Sequence, residues 1–292
     1  MKEGALVPPR LFKNIGYVAI VICAVIGAMV YYSMTILWPT IIGTVYTADV
    51  VAIGWQSSVV GGGICLGQLF GGFGISYVPK VKWQTVIASV CSMAFVSSLA
   101  SINADSHTAF IAFGVLGCFF IGYVDNITFP GVTLVIEPQD IGLATGVLGS
   151  LRGFGGAVAQ ALYVSILNTK VTEYLPAYVA PAAVSAGLPT SSLPSLFAGL
   201  STGNFTAVPD ITPAIIAAAA TQQRRAYIDS FHMVFYATIP FSFILIVAAC
   251  FVPNMENVLT SNVAKRLQHM GGDAKDGKME ITEKQVDPVM HV

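Results

Sequence analysis

Long apolar runs separated by short polar connections set the pattern of this chain. Six runs reach the ~20 residues that an apolar helix needs to cross the hydrocarbon core of a bilayer: 15–38, 53–77, 83–104, 108–136, 141–167 and 231–252. Four of them carry no formal charge, while 108–136 holds Asp125 and 141–167 holds Arg152. Pro130-Gly131 predicts a break in the fourth run, and Pro240 a kink in the sixth. No ten-residue alternation recurs as a membrane barrel would need, so strands are not expected. The predicted fold class is all-α, a polytopic membrane protein with six transmembrane helices.

The polar segments divide the chain further. Residues 1–14 form a short leading segment, 15–252 the bundle, and 253–292 a mixed-charge tail expected to be disordered. A long connection, 168–230, is read as a loop rich in Ala, Pro and Ser between Pro176 and Pro209. Within it, 211–221 is apolar but too short to span, and reads as an interfacial or packed helix. Lys and Arg placement sets the orientation. Lys2, Arg10 and Lys13 precede the first run, Lys80 and Lys82 follow the second, and Lys265, Arg266, Lys275, Lys278 and Lys284 lie in the tail. The first and third connections hold none, so both termini are expected in the cytoplasm and 168–230 outside. Asn204-Phe205-Thr206 is then a glycosylation sequon on the outer side. Asn126-Ile127-Thr128 matches the same pattern but falls within a span.

Composition agrees with lipid as the solvent. Of the 292 residues 55% are hydrophobic and only 10% charged, against about 25% charged in soluble domains. Mean hydropathy is +0.73. The 14 basic and 15 acidic residues nearly cancel, which argues against a nucleic-acid partner. The five cysteines fall in separate apolar runs and read as small buried hydrophobes rather than zinc ligands or disulfide partners. His107, His232, His269 and His291 are scattered. No nucleophile–base pairing, paired carboxylates or metal-ligand spacing appears, so neither enzyme chemistry nor a cofactor or metal is expected.

The informative residues therefore lie inside the spans. Charges at mid-bilayer cost about 2.5–3.5 kcal/mol each on insertion scales, so an isolated one needs a reason. Asp125 lies twelve residues before Glu137 and Arg152 twelve after Asp140. At 1.5 Å per helical residue both sit about 18 Å from the same connection. Antiparallel neighbours would thus bring them to equal depth, as an ion pair or as groups of a proton or substrate pathway. Gln68, Asn126 and Gln160 are the uncharged polar candidates for such a pathway. Gly63, Gly67 and Gly71, and again Gly142, Gly146, Gly149 and Gly153, repeat at intervals of about one turn and predict bare faces for close helix packing. Tyr31, Tyr32, Trp38 and Trp55 gather near the outer ends of the first two runs as expected interfacial anchors.

Several stretches resemble a known family. PPRLFKN, MVYYSMTILWPTIIGTVYTAD, GWQSSVVGGGICLGQLFGG, KVKWQ and DIGLATGVLGSLRGFGGAVAQALY are similar to the fungal trichothecene efflux pumps of the major facilitator superfamily. VAPAAVSAGLPTSSL, AYIDSFHMVFYATIPFSF and NVAKRLQ resemble that family's outer loop, last span and tail. The likeness covers about residues 6–270 and is to the C-terminal half of a fourteen-span drug:proton antiporter. It implies the C-terminal bundle of a major facilitator fold, in the plasma membrane, exporting a small amphipathic toxin or drug against protons. It also implies a second six-helix bundle, since the family's loop motif and antiporter motif have no counterpart here. The chain is accordingly expected to be a truncated or partial one. Two alternatives are a facilitator for uptake of iron–siderophore complexes and a transport-inactive six-span partner protein.

Overall fold

A computed structural model describes residues 9–255 apart from 79, 102, 207 and 210. The tail from 256 onward and the first eight residues lie outside the described residues, and with them the expectations of a disordered tail and of Lys2, His269 and His291. Among the described residues seven α-helices carry the fold: α1 (Ile15–Ile41), α2 (Val50–Tyr77), α3 (Val81–Ser98), α4 (His107–Val135), α5 (Ile141–Ser185), α6 (Leu193–Thr202) and α7 (Pro213–Phe251). A π-helical turn, Ile42–Tyr46, prolongs α1, and short 3₁₀ turns fill other connections. Strands are absent among the described residues. All but α6 are long and apolar enough to cross a membrane. Helices suit that solvent because each satisfies its own backbone hydrogen bonds where water cannot.

α1 is the most enclosed helix, and it contacts α2, α4, α5 and α7. Around it, α2 packs on α4, α3 on α4 and α7, and α5 on α7. Caps fix the entries: the Asn14 side chain accepts from the Tyr17 amide, Asp49 from Val51, and Thr212 from Ile215. At one end of the bundle Arg10 bridges to Asp140 at 2.6 Å, the Tyr17 hydroxyl donates to the Ala144 carbonyl, and Asn14 donates to the Val135 carbonyl. These bonds tie the start of α1 to the α4–α5 connection.

Three expectations change. The break at Pro130-Gly131 does not occur, and α4 runs continuously to Val135. Proline removes one backbone donor, and helices packed on α4 tolerate the loss. The connection 168–230 is mostly helix rather than loop. α5 continues to Ser185, α6 is a separate helix, and the apolar stretch from 211 becomes the first turns of α7. The reason is an amphipathic stripe: Val171, Leu175, Val179 and Ala183 repeat every four residues, Val171 packing on the main core and the other three clustering with Ile215 and Ala219 of α7. At 1.5 Å per residue α5 is about 68 Å long, more than twice the ~30 Å hydrocarbon core. Its far end, α6 and the start of α7 form a cap with its own apolar core of Val179, Ala183, Leu188, Leu196, Val208 and Ile215. Lastly, Trp38 is not an interfacial anchor. It is fully buried, stacks on Phe110 with centroids 4.0 Å apart, and donates to the Gln56 carbonyl. Trp55, by contrast, is exposed.

Candidate functional site

Asp125 and Arg152 meet. The two residues lie at equal depth because the short Pro138–Asp140 turn reverses the chain between α4 and α5. Arg152 Nη1 donates to Asp125 Oδ1 at 2.9 Å, and Arg152 Nη2 to Asp125 Oδ2. The pair is bidentate, matching the planar fork of guanidinium to carboxylate. Asp125 is 1% exposed, the Arg152 side chain 13%. The Phe129 ring, one turn beyond Asp125 on α4, lies 4.9 Å from the guanidinium carbon. On the other side Gly27 of α1 makes room for the carboxylate: a Cβ there would stand 3.0 Å from Asp125 Oδ1.

The other polar candidates have separate roles. Asn126 Nδ2 donates to the Gln68 backbone carbonyl, joining α4 to α2. Only the carbonyl of Gln68 takes part in that bond, not its side chain. Gln160 Nε2 donates to the Tyr32 carbonyl at 3.0 Å, joining α5 to α1. Both amides thus act as interhelical ties on either side of the ion pair.

The two glycine series differ in use. Gly63, Gly67 and Gly71 lie directly against α4, where added Cβ atoms would meet Val115, Phe119 and Tyr123 backbone. Gly122 of α4 lies in return against the Ile64 backbone. This is the close backbone approach that drives helix association where lipid offers no hydrophobic force. On α5, Gly142, Gly146, Gly149 and Gly153 are exposed, and a Cβ at any of them would meet nothing within 4 Å. A bare face therefore runs along α5 past Arg152. Beyond it Gly155 and Gly156 pack on Val25 and Tyr32 of α1, so exposed Tyr32, Thr35 and Ile36 border the same face.

Sequence reasoning missed Gly27 and Phe129. Gly27 has no glycine one turn away, so no stripe marked it, although Phe129 stands four residues after Asp125, a helical neighbour that could have been found. A polar cluster at the cap end of the bundle was also missed. Tyr178 donates to Asp229 Oδ2 at 3.0 Å, His232 Nδ1 stands 3.8 Å from Asp229 Oδ1, and Arg225 lies over the Tyr178 ring. The cluster joins residues about fifty positions apart that meet only because α5 and α7 both extend as helix beyond the apolar spans.

Six helices among the described residues long and apolar enough to cross a membrane, with an ion pair buried between two of them, define the class: a multi-pass membrane protein. The solved structure of a bacterial homologue of the human lysosomal transporter Spinster, inward-facing and occupied, matches with a TM-score of 0.50 at 14% identity. The match covers 81% of this chain and 50% of that one, and the shared architecture is the major facilitator fold. Residues 2–292 match the family model of the fungal trichothecene efflux pump, and the chain belongs to that family. Among its relatives are the trichothecene efflux pump TRI12 of Fusarium sporotrichioides, 25% identical over 99% of this chain and 49% of the relative. The MFS-type transporter prx5 of Penicillium rubens is 31% identical over 80% of this chain and 43% of the relative. The chain thus spans about half the length of the curated relatives it matches. Those relatives are transporters rather than enzymes.

Proposed function

We propose that this bundle forms one wall of an export pathway for small amphipathic molecules, with the exposed α5 face completed by a second six-helix bundle. Substrate passes between the two, and Asp125 couples the movement to protons. Protonation of Asp125 neutralises the carboxylate and frees the Arg152 guanidinium. Because Arg152 is the more exposed partner and borders the bare face, it can then turn toward a polar group of the substrate. Loss of the proton restores the pair. Gln160 and Asn126 hold α5 and α4 in register while this happens. Both termini lie in the cytoplasm, the cap lies outside, and the membrane is the plasma membrane.

The observation that carries this reading is the bidentate Asp125–Arg152 pair beside an exposed helix face. Its test uses inside-out membrane vesicles from cells producing the chain, with the remaining half of a curated relative supplied as a separate polypeptide. A radiolabelled trichothecene is the probe. Uptake into these vesicles is expected to rise when the interior is acidified and to lose that response in Asp125→Asn. Uptake indifferent to the gradient in the parent chain would remove the proton coupling.

A further inference from the structure

We propose that Asn204 carries an N-linked glycan. The inference rests on the outward placement of the cap proposed above. α6 ends at Thr202, and Gly203 adopts the left-handed conformation (φ 73°) with its amide bonded to the Gly199 carbonyl at 2.8 Å. The chain leaves this C-cap in an exposed turn, and Asn204 and Thr206 are both exposed. Asn204 Oδ1 accepts from the Thr206 amide at 3.0 Å and from the Thr206 hydroxyl at 2.7 Å. The sequon is therefore already folded as an Asx turn, with its hydroxyl on the amide oxygen. Asn204 Nδ2 makes no hydrogen bond among the described residues. Phe205, between them, packs into the cap core against Gly199, which holds the turn in place while its flanking polar residues face solvent.

Position along the fold supports access. The apolar part of α5 ends near Leu167, and from Asn168 to Ser185 the helix climbs about 27 Å further at 1.5 Å per residue. The chain then passes through α6 before reaching the sequon. Asn126-Ile127-Thr128 supplies an internal contrast. Asn126 donates to the Gln68 carbonyl, and Thr128, fully buried, donates to the Asp125 carbonyl. That triplet lies in a membrane-crossing helix between packed neighbours and has no route to a transferase. In the transfer, Asn204 Nδ2 bonds to the anomeric carbon of a lipid-diphosphate-linked oligosaccharide. The anomeric carbon–oxygen bond of that donor breaks, the lipid diphosphate leaves, and the amide gives up one proton.

The test is endoglycosidase digestion of the epitope-tagged chain made in a fungal host, read on a denaturing gel. The parent chain is expected to run faster after digestion by the step of one glycan. Asn204→Gln and Thr206→Ala are expected to run at the digested position without enzyme, while Thr206→Ser and Asn126→Gln keep the shift. A parent chain whose mobility does not respond, or an Asn204→Gln variant that still shifts, overturns the inference. Labelling of exposed Ser185→Cys with a membrane-impermeant maleimide on intact cells, above the parent background, separates the two readings. A labelled but unshifted chain ends the glycan and leaves the orientation standing. An unlabelled, unshifted chain ends both.

Discussion

Removing Arg152 alone should damage the bundle more than removing Asp125 and Arg152 together. In Arg152→Met the carboxylate, 1% exposed, stays beneath Gly27 without its two hydrogen bonds or counter-charge. Breaking a buried pair from one side costs about 3–5 kcal/mol. With a shift of about 2–4 °C per kcal/mol for chains of this size, the expected fall in melting temperature is on the order of 10 °C. The double variant Asp125→Leu/Arg152→Met leaves no charge and roughly conserves volume. Apolar replacement of a buried pair is often neutral or stabilising, so its melting point should return to within about 1 kcal/mol of the parent. Thermal unfolding in detergent micelles, followed by the loss of monodisperse protein on size-exclusion chromatography, measures all four corners of the cycle. A single variant within about 1 kcal/mol of the parent, or a double variant as unstable as the two singles summed, would refute the buried-pair argument. Export should behave differently from stability: the double variant folds but does not respond to a proton gradient.

Gly67→Val is expected to prevent α2 and α4 from packing and to lower the yield of folded protein, since the new side chain would overlap the Phe119 carbonyl. Gly149→Ala meets nothing and should leave the melting temperature unchanged, while reducing export if a second bundle closes on that face. Gly27→Ala should destabilise the bundle by about 1–3 kcal/mol through overpacking against Asp125, and in an Asp125→Ala/Arg152→Met background, where that carboxylate is gone and no charge is left unpaired, the same change should cost nothing in the unfolding assay. The Tyr163 hydroxyl is buried without a hydrogen-bond partner among the described residues, so Tyr163→Phe should be neutral or stabilising by up to about 1 kcal/mol in the same unfolding assay. A marked loss would show that the hydroxyl is bonded.

The membrane-crossing part of the fold was legible because lipid imposes a length and an apolarity that few other structures need. The pairing of Asp125 with Arg152 was legible for a similar reason: helical rise and a shared connection fix relative depth without knowledge of side-chain packing. The burial of Trp38 was not legible, because aromatic type and position along a span do not reveal rotation about the helix axis. Its ring points inward to Phe110 and the bare Gly114, and that depends on the neighbours. The cap was hidden by composition. Pro176 and Pro181 read as loop residues, yet both lie inside α5, where the four-residue stripe from Val171 to Ala183 outweighs two lost backbone donors. The contrast between the two glycine series was not legible at all, because identical spacing serves a buried contact on α2 and an open face on α5.

That contrast bears on how the parts could work together. α2 and α4 are locked by backbone-to-backbone contact at Gly63, Gly67, Gly71 and Gly122, so Asp125 sits on the rigid pair. α5 carries Arg152, presents the bare face on one side, packs on α1 and α7 on the other, and continues into the cap. A tilt of α5 would therefore alter the ion pair, the open face and the cap at once, whereas a tilt of α4 would first have to break its contact with α2. Under the proposed proton coupling, the element able to report protonation of Asp125 at a distance is α5. Tyr178–Asp229, the hydrogen bond that fastens its far end to α7, is the place where that motion would be resisted.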